Sequence, residues 1–134
     1  MILVDAGPLV AIVDAGDQHH QTCVDVADSF KEPVGTVWPA LAEVAYLLRD
    51  LPDAGNAVWE MIEVGALSLL QLGASDLPRI RALMKKYADL PMDLADAALV
   101  AVAEREGIAK IFTVDRSDFA VYRLHGRGRF TIIP

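Results

Sequence analysis

The sequence predicts an α/β fold, a mostly parallel central sheet with helices on both faces, and three observations predict it. Short apolar runs such as Ile2-Leu3-Val4 and Lys110-Ile111-Phe112-Thr113-Val114 alternate with longer segments whose apolar residues recur at a 3.6-residue period. The 134 residues suit one domain, with no linker, repeat or low-complexity stretch, so a single domain is expected over 1–134. The composition is 54 % hydrophobic and 23 % charged, too apolar for a disordered segment and too evenly punctuated by charge for a membrane span.

Ile2-Leu3-Val4 reads as a strand ended by Asp5-Ala6-Gly7-Pro8, and Pro8 to Val13 as a helix with proline in its first turn. Residues 18–31 carry Thr22, Val26 and Phe30 at four-residue spacing, a second amphipathic helix, and Val34-Gly35-Thr36-Val37 is a strand. Pro39 opens a helix whose core stripe is Leu41, Val44, Leu48 and Leu51. Asp53 to Val64 continues as helix, and Leu67 to Leu72 as strand. Ser75-Asp76 caps a helix with Leu77, Ile80, Met84 and Tyr87 inward and Arg79, Arg81, Lys85 and Lys86 outward. Asp93 caps an alanine-rich helix to Glu106, which Gly107 ends as the left-handed residue. Lys110 to Val114 and Phe130 to Ile133 are the last two strands.

Composition narrows the function. Cys23 is the single cysteine, which excludes an internal disulfide framework and a cysteine-based zinc cage, so any metal must be held by oxygen or imidazole. The opening residues carry no basic region or cleavage site, and a cytoplasmic product is expected. The net charge of −7 is unevenly spread: residues 1–78 have two basic and twelve acidic residues, a balance of −10, and residues 79–134 have ten and seven, a balance of +3. An acidic chain is a poor generic polyanion binder, but this distribution permits a basic rim beside an acidic site.

In open parallel α/β sheets ligands bind beyond the carboxyl ends of the strands. Asp5 and Asp115 each follow a strand directly, Glu43 lies about one turn into the helix after Val34–Val37, and Asp96 is in the first turn of the helix at Asp93. All four can converge on one sheet edge. Asp5 is the only charged side chain in residues 1–13, Glu43 has Ala42, Val44, Ala45 and Tyr46 around it, and Asp96 shares a stripe with Leu99, Val100 and Ala103. Ionised carboxylates in apolar company need donors or a cation, and a hard divalent ion such as magnesium or manganese suits oxygen ligands. Taken singly each acid has a plainer role: Asp5 as a turn or cap residue, Asp93 and Asp96 as a capping pair, Glu43 as an exposed helix residue, Asp115 and Asp118 as turn residues. Their joint placement is what those roles explain poorly.

The segments Ile2-Leu3-Val4-Asp5-Ala6-Gly7-Pro8-Leu9, Pro39-Ala40-Leu41-Ala42-Glu43-Val44, Leu94-Ala95-Asp96-Ala97-Ala98-Leu99 and Thr113-Val114-Asp115-Arg116-Ser117-Asp118-Phe119 resemble, in order and spacing, the PIN-domain family and its VapC-type ribonuclease toxins. The resemblance implies a PIN-like fold, a catalytic site of Asp5, Glu43, Asp96 and Asp115 with Asp5 and Asp96 as magnesium ligands, and Thr113 supporting Asp115. It further implies RNA hydrolysis leaving a 5′-phosphate and a 3′-hydroxyl, on an RNA such as transfer RNA, and a cognate antitoxin protein. Where the family has a small hydroxyl or amide residue two places after the first aspartate, this chain has Gly7, which offers only its backbone N–H.

Arg116, Arg123, His125, Arg127 and Arg129 form the one concentrated basic stretch, readable as an RNA contact beside Asp115 or as a solvated loop. His19 and His20 read as surface residues, and Trp38 and Trp59 as core or interface rather than base-stacking platforms. Helical surface such as Ala45-Leu48-Leu51 or Val58-Trp59-Ile62 is the candidate for a homodimer or antitoxin contact. A phosphoryl-accepting receiver or a haloacid-dehalogenase-type phosphatase fits less well, since Asp5 is followed by Ala6 and Gly7 rather than by a second acid. A non-catalytic RNA- or protein-binding module of the same fold is the other reading, and all four acids being present argues against it.

Overall fold

The computed structural model describes residues 1–134. Chain order is β1 (Ile2–Val4), α1 (Ala6–Val13), α2 (His20–Asp28), β2 (Val34–Thr36), α3 (Trp38–Leu47), α4 (Pro52–Glu63), β3 (Ser68–Leu69), α5 (Leu77–Lys86), α6 (Leu94–Glu106), β4 (Lys110–Phe112), α7 (Arg116–Val121), β5 (Arg123–Leu124), β6 (Gly128–Arg129) and β7 (Thr131–Ile133). Five strands form one sheet in the order β3-β2-β1-β4-β7, and every pair in it is parallel. The expected α/β architecture is therefore the observed one.

Two-residue periodicity sorts the strand side chains between two cores. Leu3 and Ile111 point into a core with Ile80, Leu83, Tyr122 and most of α6. Ile2, Val4 and Phe112 point into the other, with Leu9, Cys23, Val44 and Val58. Helix α6 is buried along Ala97 to Ala103, with Leu99, Val100 and Val102 among its alanines, as befits a helix that is apolar on every face. Asp96 is the sole charge between Leu94 and Ala103.

Several expected elements are shorter or differently placed. The stripe on α3 stops at Leu48, because the helix ends at Leu47 and Pro52 starts α4; Leu51, just before that proline, is exposed. Leu67–Leu72 narrows to the two residues of β3, an edge strand with one neighbour. On α5 the inward residues are Ile80 and Leu83, with Leu77 exposed; Asp76 makes no cap bond to this helix and instead accepts from the Gly73 N–H at 3.0 Å and pairs with Arg105 at 2.7 Å. Gly107 ends α6 with φ of 68°, as expected. Trp38 is exposed, which leaves the interface half of its core-or-interface reading, and His20 is half-buried with Nδ1 at 2.6 Å from the Ala11 carbonyl. Helix α7 and the antiparallel ribbon β5–β6 occupy residues to which the sequence pattern assigns no element. No helix is long and apolar enough to cross a membrane.

Candidate carboxylate site

The strands that carry Asp5 and Asp115 are neighbours in register, with Val4 opposite Phe112, so the acids that follow them emerge side by side at the carboxyl edge of the sheet. Asp5 caps α1 with Oδ1, which accepts the Ala6 N–H at 2.8 Å. Its Oδ2 accepts the Thr113 hydroxyl at 3.0 Å, and Thr113 Oγ1 accepts the Asp115 N–H at 2.9 Å. Thr113 thus ties together both strand-end aspartates, a wider role than support of Asp115 alone. Thr36, fully buried, donates to the Val4 carbonyl at 2.8 Å and fixes the strand end just before Asp5. Burial pushes the Asp5 carboxyl above its ordinary range against two hydrogen bonds that lower it, and the charges of Asp93 and Asp115 add to the rise.

Glu43 projects from the second turn of α3 and is half-buried. Its carboxyl is raised to about 8, first by burial, then by a hydrogen-bonded approach to Asp93 and by the charges of Asp93, Asp5 and Asp96. Asp93 caps α6 as expected, accepting the Asp96 N–H at 2.8 Å, yet its carboxylate also faces Glu43. Asp96 is raised to about 7: burial dominates, the Tyr122 hydroxyl at 2.7 Å opposes it, and Asp93, Asp5 and Asp115 reinforce it. Asp115 is exposed at the start of α7 and accepts from Ser117 at 3.4 Å. Asp118 lies within hydrogen-bonding reach of Asp115 and its carboxyl is raised by burial and by that neighbour.

The four expected acids are therefore brought to one edge, and Asp93 and Asp118, read from sequence as a cap and a peripheral residue, stand among them. None of the chain's ion pairs involves any of the six; these use Glu32, Asp76, Glu104 and Glu106. Six oxygen-donor groups with no basic partner, of which Asp5, Glu43, Asp96 and Asp118 are raised by burial and by their acidic neighbours, match a hard divalent cation in donor type and charge. No three of them already converge as a ligand cage. Tyr122 was missed from sequence because its hydroxyl meets Asp96 across 26 residues, and no local spacing signals that contact.

A PIN domain family model matches residues 2–123. Ribonuclease VapC26 of Mycobacterium tuberculosis is 33 % identical over 99 % of this chain and 100 % of its own. The chain belongs to the VapC family of PIN-domain proteins. Among solved structures, VapC20 of Mycobacterium tuberculosis, a toxin that cleaves the sarcin–ricin loop, superposes with a TM-score of 0.79 at 24 % identity, covering 88 % of this chain and 94 % of its own. A toxin–antitoxin complex from Klebsiella pneumoniae gives 0.68 at 13 % identity over 100 % and 97 % of the two chains. VapBC2 of Rickettsia felis, bound to a fragment of its promoter DNA, gives 0.61 at 14 % over 87 % and 90 %. These three likenesses show the shared fold.

Within the VapC pattern, the glycine at position 7 has a steric cause. A Cβ there would stand 2.6 Å from Val114 Cγ2, so the first turn of α1 packs directly on the residue after Thr113. The basic stretch is not at the acidic edge. Thr131 lies opposite Lys110, at the amino end of β4, so Arg127 and Arg129 just before it sit at the other edge of the sheet. Arg116, which follows Asp115, is the basic residue that remains beside the carboxylates.

Proposed function

We propose that the protein is a magnesium-dependent endoribonuclease and the toxin of a toxin–antitoxin pair, with Asp5, Glu43, Asp96 and Asp115 as its catalytic carboxylates. The observation that carries this reading is the carboxylate cluster without a cationic partner at the sheet edge of a VapC-family chain. Asp5 and Asp96 are the residues that would hold the ion, magnesium or manganese in its place. When bound, the ion would acidify a water and neutralise charge that develops on the phosphate.

The residues themselves supply the orientation. Thr113 fixes one oxygen of Asp5 and Tyr122 one oxygen of Asp96, leaving Asp96 Oδ1 free to face the site. One carboxylate, Asp115 or Glu43, would hold the attacking water, and the raised proton affinity of Glu43 supports a role for it in carrying the proton. Hydrolysis breaks the bond between phosphorus and the 3′-oxygen, giving a 5′-phosphate and a 3′-hydroxyl. Transfer RNA is among the proposed substrates, and Arg116 is the cation beside the site for a phosphate contact.

The proposed protein partners are a cognate antitoxin and a second copy of the chain. An apolar groove of about 510 Å³ lined by Trp38, Leu41, Ala45, Trp59 and Ile62 lies between α3 and α4 and is the surface open to such a partner. Leu48, expected on that surface, is buried.

The test is cleavage of a mixed RNA pool by purified, antitoxin-free protein with magnesium, with EDTA, and by Asp96→Asn. Discrete cleavage lost in both controls is the expected result. A folded sample that cuts no RNA with magnesium or manganese would sink the nuclease reading and leave a binding module of the same fold.

A further inference from the structure

We infer that the β5–β6 ribbon is a second RNA contact, remote from the carboxylates, that grips the phosphate backbone of a structured substrate. The inference rests on the ribonuclease reading above and assigns a surface that, beyond Arg123, lies past the matched family region.

The ribbon is built of cations that the fold does not neutralise. Residues 119–134 contain Arg123, Arg127, Arg129 and His125 and no acid. Arg123 and Arg129 are direct cross-strand partners, and like charges opposite one another destabilise a β pair. Arg123 is turned away from its neighbour, its guanidinium donating to the carbonyls of Ala120, Val121 and Tyr122 at the end of α7. Arg129 and Arg127 are exposed, and neither enters an ion pair or a side-chain hydrogen bond. The acid that meets the turn is already engaged: Glu104 binds Arg79 through both oxygens, at 2.7 and 2.8 Å, and accepts the His125 N–H. Within the protein, then, the exposed arginines have nothing to pair with.

The turn also presents an aromatic ring. The Arg127 N–H donates to the Leu124 carbonyl at 3.0 Å, and the two residues between, His125 and Gly126, have φ of 51° and 75°. A left-handed conformation is natural for glycine, and histidine is one of the few other residues that adopt it readily, although asparagine or glycine is the usual choice in such a turn. The fold holds it by the bond from its N–H to Glu104. An exposed imidazole flanked by arginines is the pairing of stacking surface and positive charge that single strands and loops of RNA bind.

Position decides what the ribbon can do for the substrate. Glu104, which anchors the tip, is eight residues along α6 from Asp96, a rise of about 12 Å. A dinucleotide, with a single phosphodiester in the carboxylate site, stays clear of the ribbon, whereas a folded RNA extending past the site can reach both. Its contribution is therefore to affinity for large substrates and not to the chemical step.

The experiment compares Arg127→Glu/Arg129→Glu with the wild type on a stem-loop RNA and on a dinucleotide with one phosphodiester bond. Cleavage is followed with magnesium, and binding by anisotropy in EDTA. Expected are a several-fold rise in KM for the stem-loop with kcat unchanged, and unchanged kinetics on the dinucleotide. The slope of log affinity against log salt for the stem-loop should fall by about 1.5, at roughly 0.7–0.9 per lost phosphate contact. Arg127→Lys/Arg129→Lys should keep most of the stem-loop affinity, and matching thermal melts should show that the glutamate variant is folded. Equal stem-loop binding by the variant and the wild type overturns the inference, as does an equal loss on both RNAs. Loss of binding to a polyglutamate peptide with stem-loop binding intact also overturns it, in favour of an acidic protein partner. If the wild type cuts neither RNA with any divalent cation, the ribonuclease reading fails, and the anisotropy arm still decides whether the ribbon binds RNA.

Discussion

Tyr122 and Asp96 illustrate how one hydrogen bond tunes a carboxylate. A donor to the ionised form lowers its proton affinity, so Tyr122→Phe, which keeps the ring packed on Phe119 and Tyr87, should raise the Asp96 carboxyl further above its present value of about 7. Carbon-detected NMR titration of the metal-free protein measures this directly; a bond to a charged group worth about 1.5–3 kcal/mol predicts a rise of roughly one to two units. The same variant should cleave RNA more slowly and need more magnesium for half-maximal rate. An unchanged Asp96 titration would show that the phenol does not restrain this carboxylate. Thr113, which donates to Asp5 and accepts from the Asp115 N–H, is the comparable residue on the sheet side, and Thr113→Val should lower cleavage by disturbing both aspartates. Activity of Thr113→Val equal to wild type would remove it from the site's support.

At the scale of elements, the contact between α1 and the end of β4 is the tightest constraint near the site. Gly7→Ser would set a Cβ 2.6 Å from Val114 Cγ2, and valine, branched at Cβ, has little rotamer freedom with which to move away. Overpacking of this kind costs about 1–3 kcal/mol, which urea denaturation would read as a lower midpoint with an unchanged m-value. Combining Gly7→Ser with Val114→Ala should recover part of the loss, because the alanine removes the clashing methyl. If the double variant is no more stable than the single, the clash is not the cause. The helix caps around the site have two duties each: Asp5 satisfies the first turn of α1, and Asp93 the first turn of α6, while both face other carboxylates.

For the molecule as a whole, the clustered acids set how stability depends on pH. Glu43 at about 8 and Asp96 at about 7 bind protons more tightly in the fold than at their ordinary values of 4.5 and 3.8. The folded state therefore holds extra protons across this window, and stability falls as pH rises from about 4 to about 8. Thermal melts in EDTA should give a lower Tm at pH 8 than at pH 5.5, and magnesium at pH 8 should restore it. At one hundred times its Kd an ion bound only by the folded state adds about 2.7 kcal/mol. Asp96→Asn should melt higher than the wild type in EDTA at pH 8 and gain less from magnesium. A Tm independent of pH and of magnesium would mean that the acids are not electrostatically coupled. Charge is divided on the same scale, with the carboxylates at one sheet edge and Arg127 and Arg129 at the other.

By itself the sequence determined the alternation of strands and helices, the two-faced sheet, and the four acids at its carboxyl edge. These are properties of local pattern: Leu3 and Val4 alternate between cores because strand side chains do, and Asp5 follows its strand wherever that strand lies. Tertiary structure alone decided which acids meet. The bond between Thr113 and Asp5 spans 108 residues, that between Tyr122 and Asp96 spans 26, and the approach of Asp93 to Glu43 depends on where α6 sets against α3. It also decided that the basic stretch, close to Asp115 along the chain, lies at the far edge of the sheet. Helix α7 descends from the acidic edge and β7 begins at the opposite one, so a separation of a dozen residues in sequence became the width of the sheet.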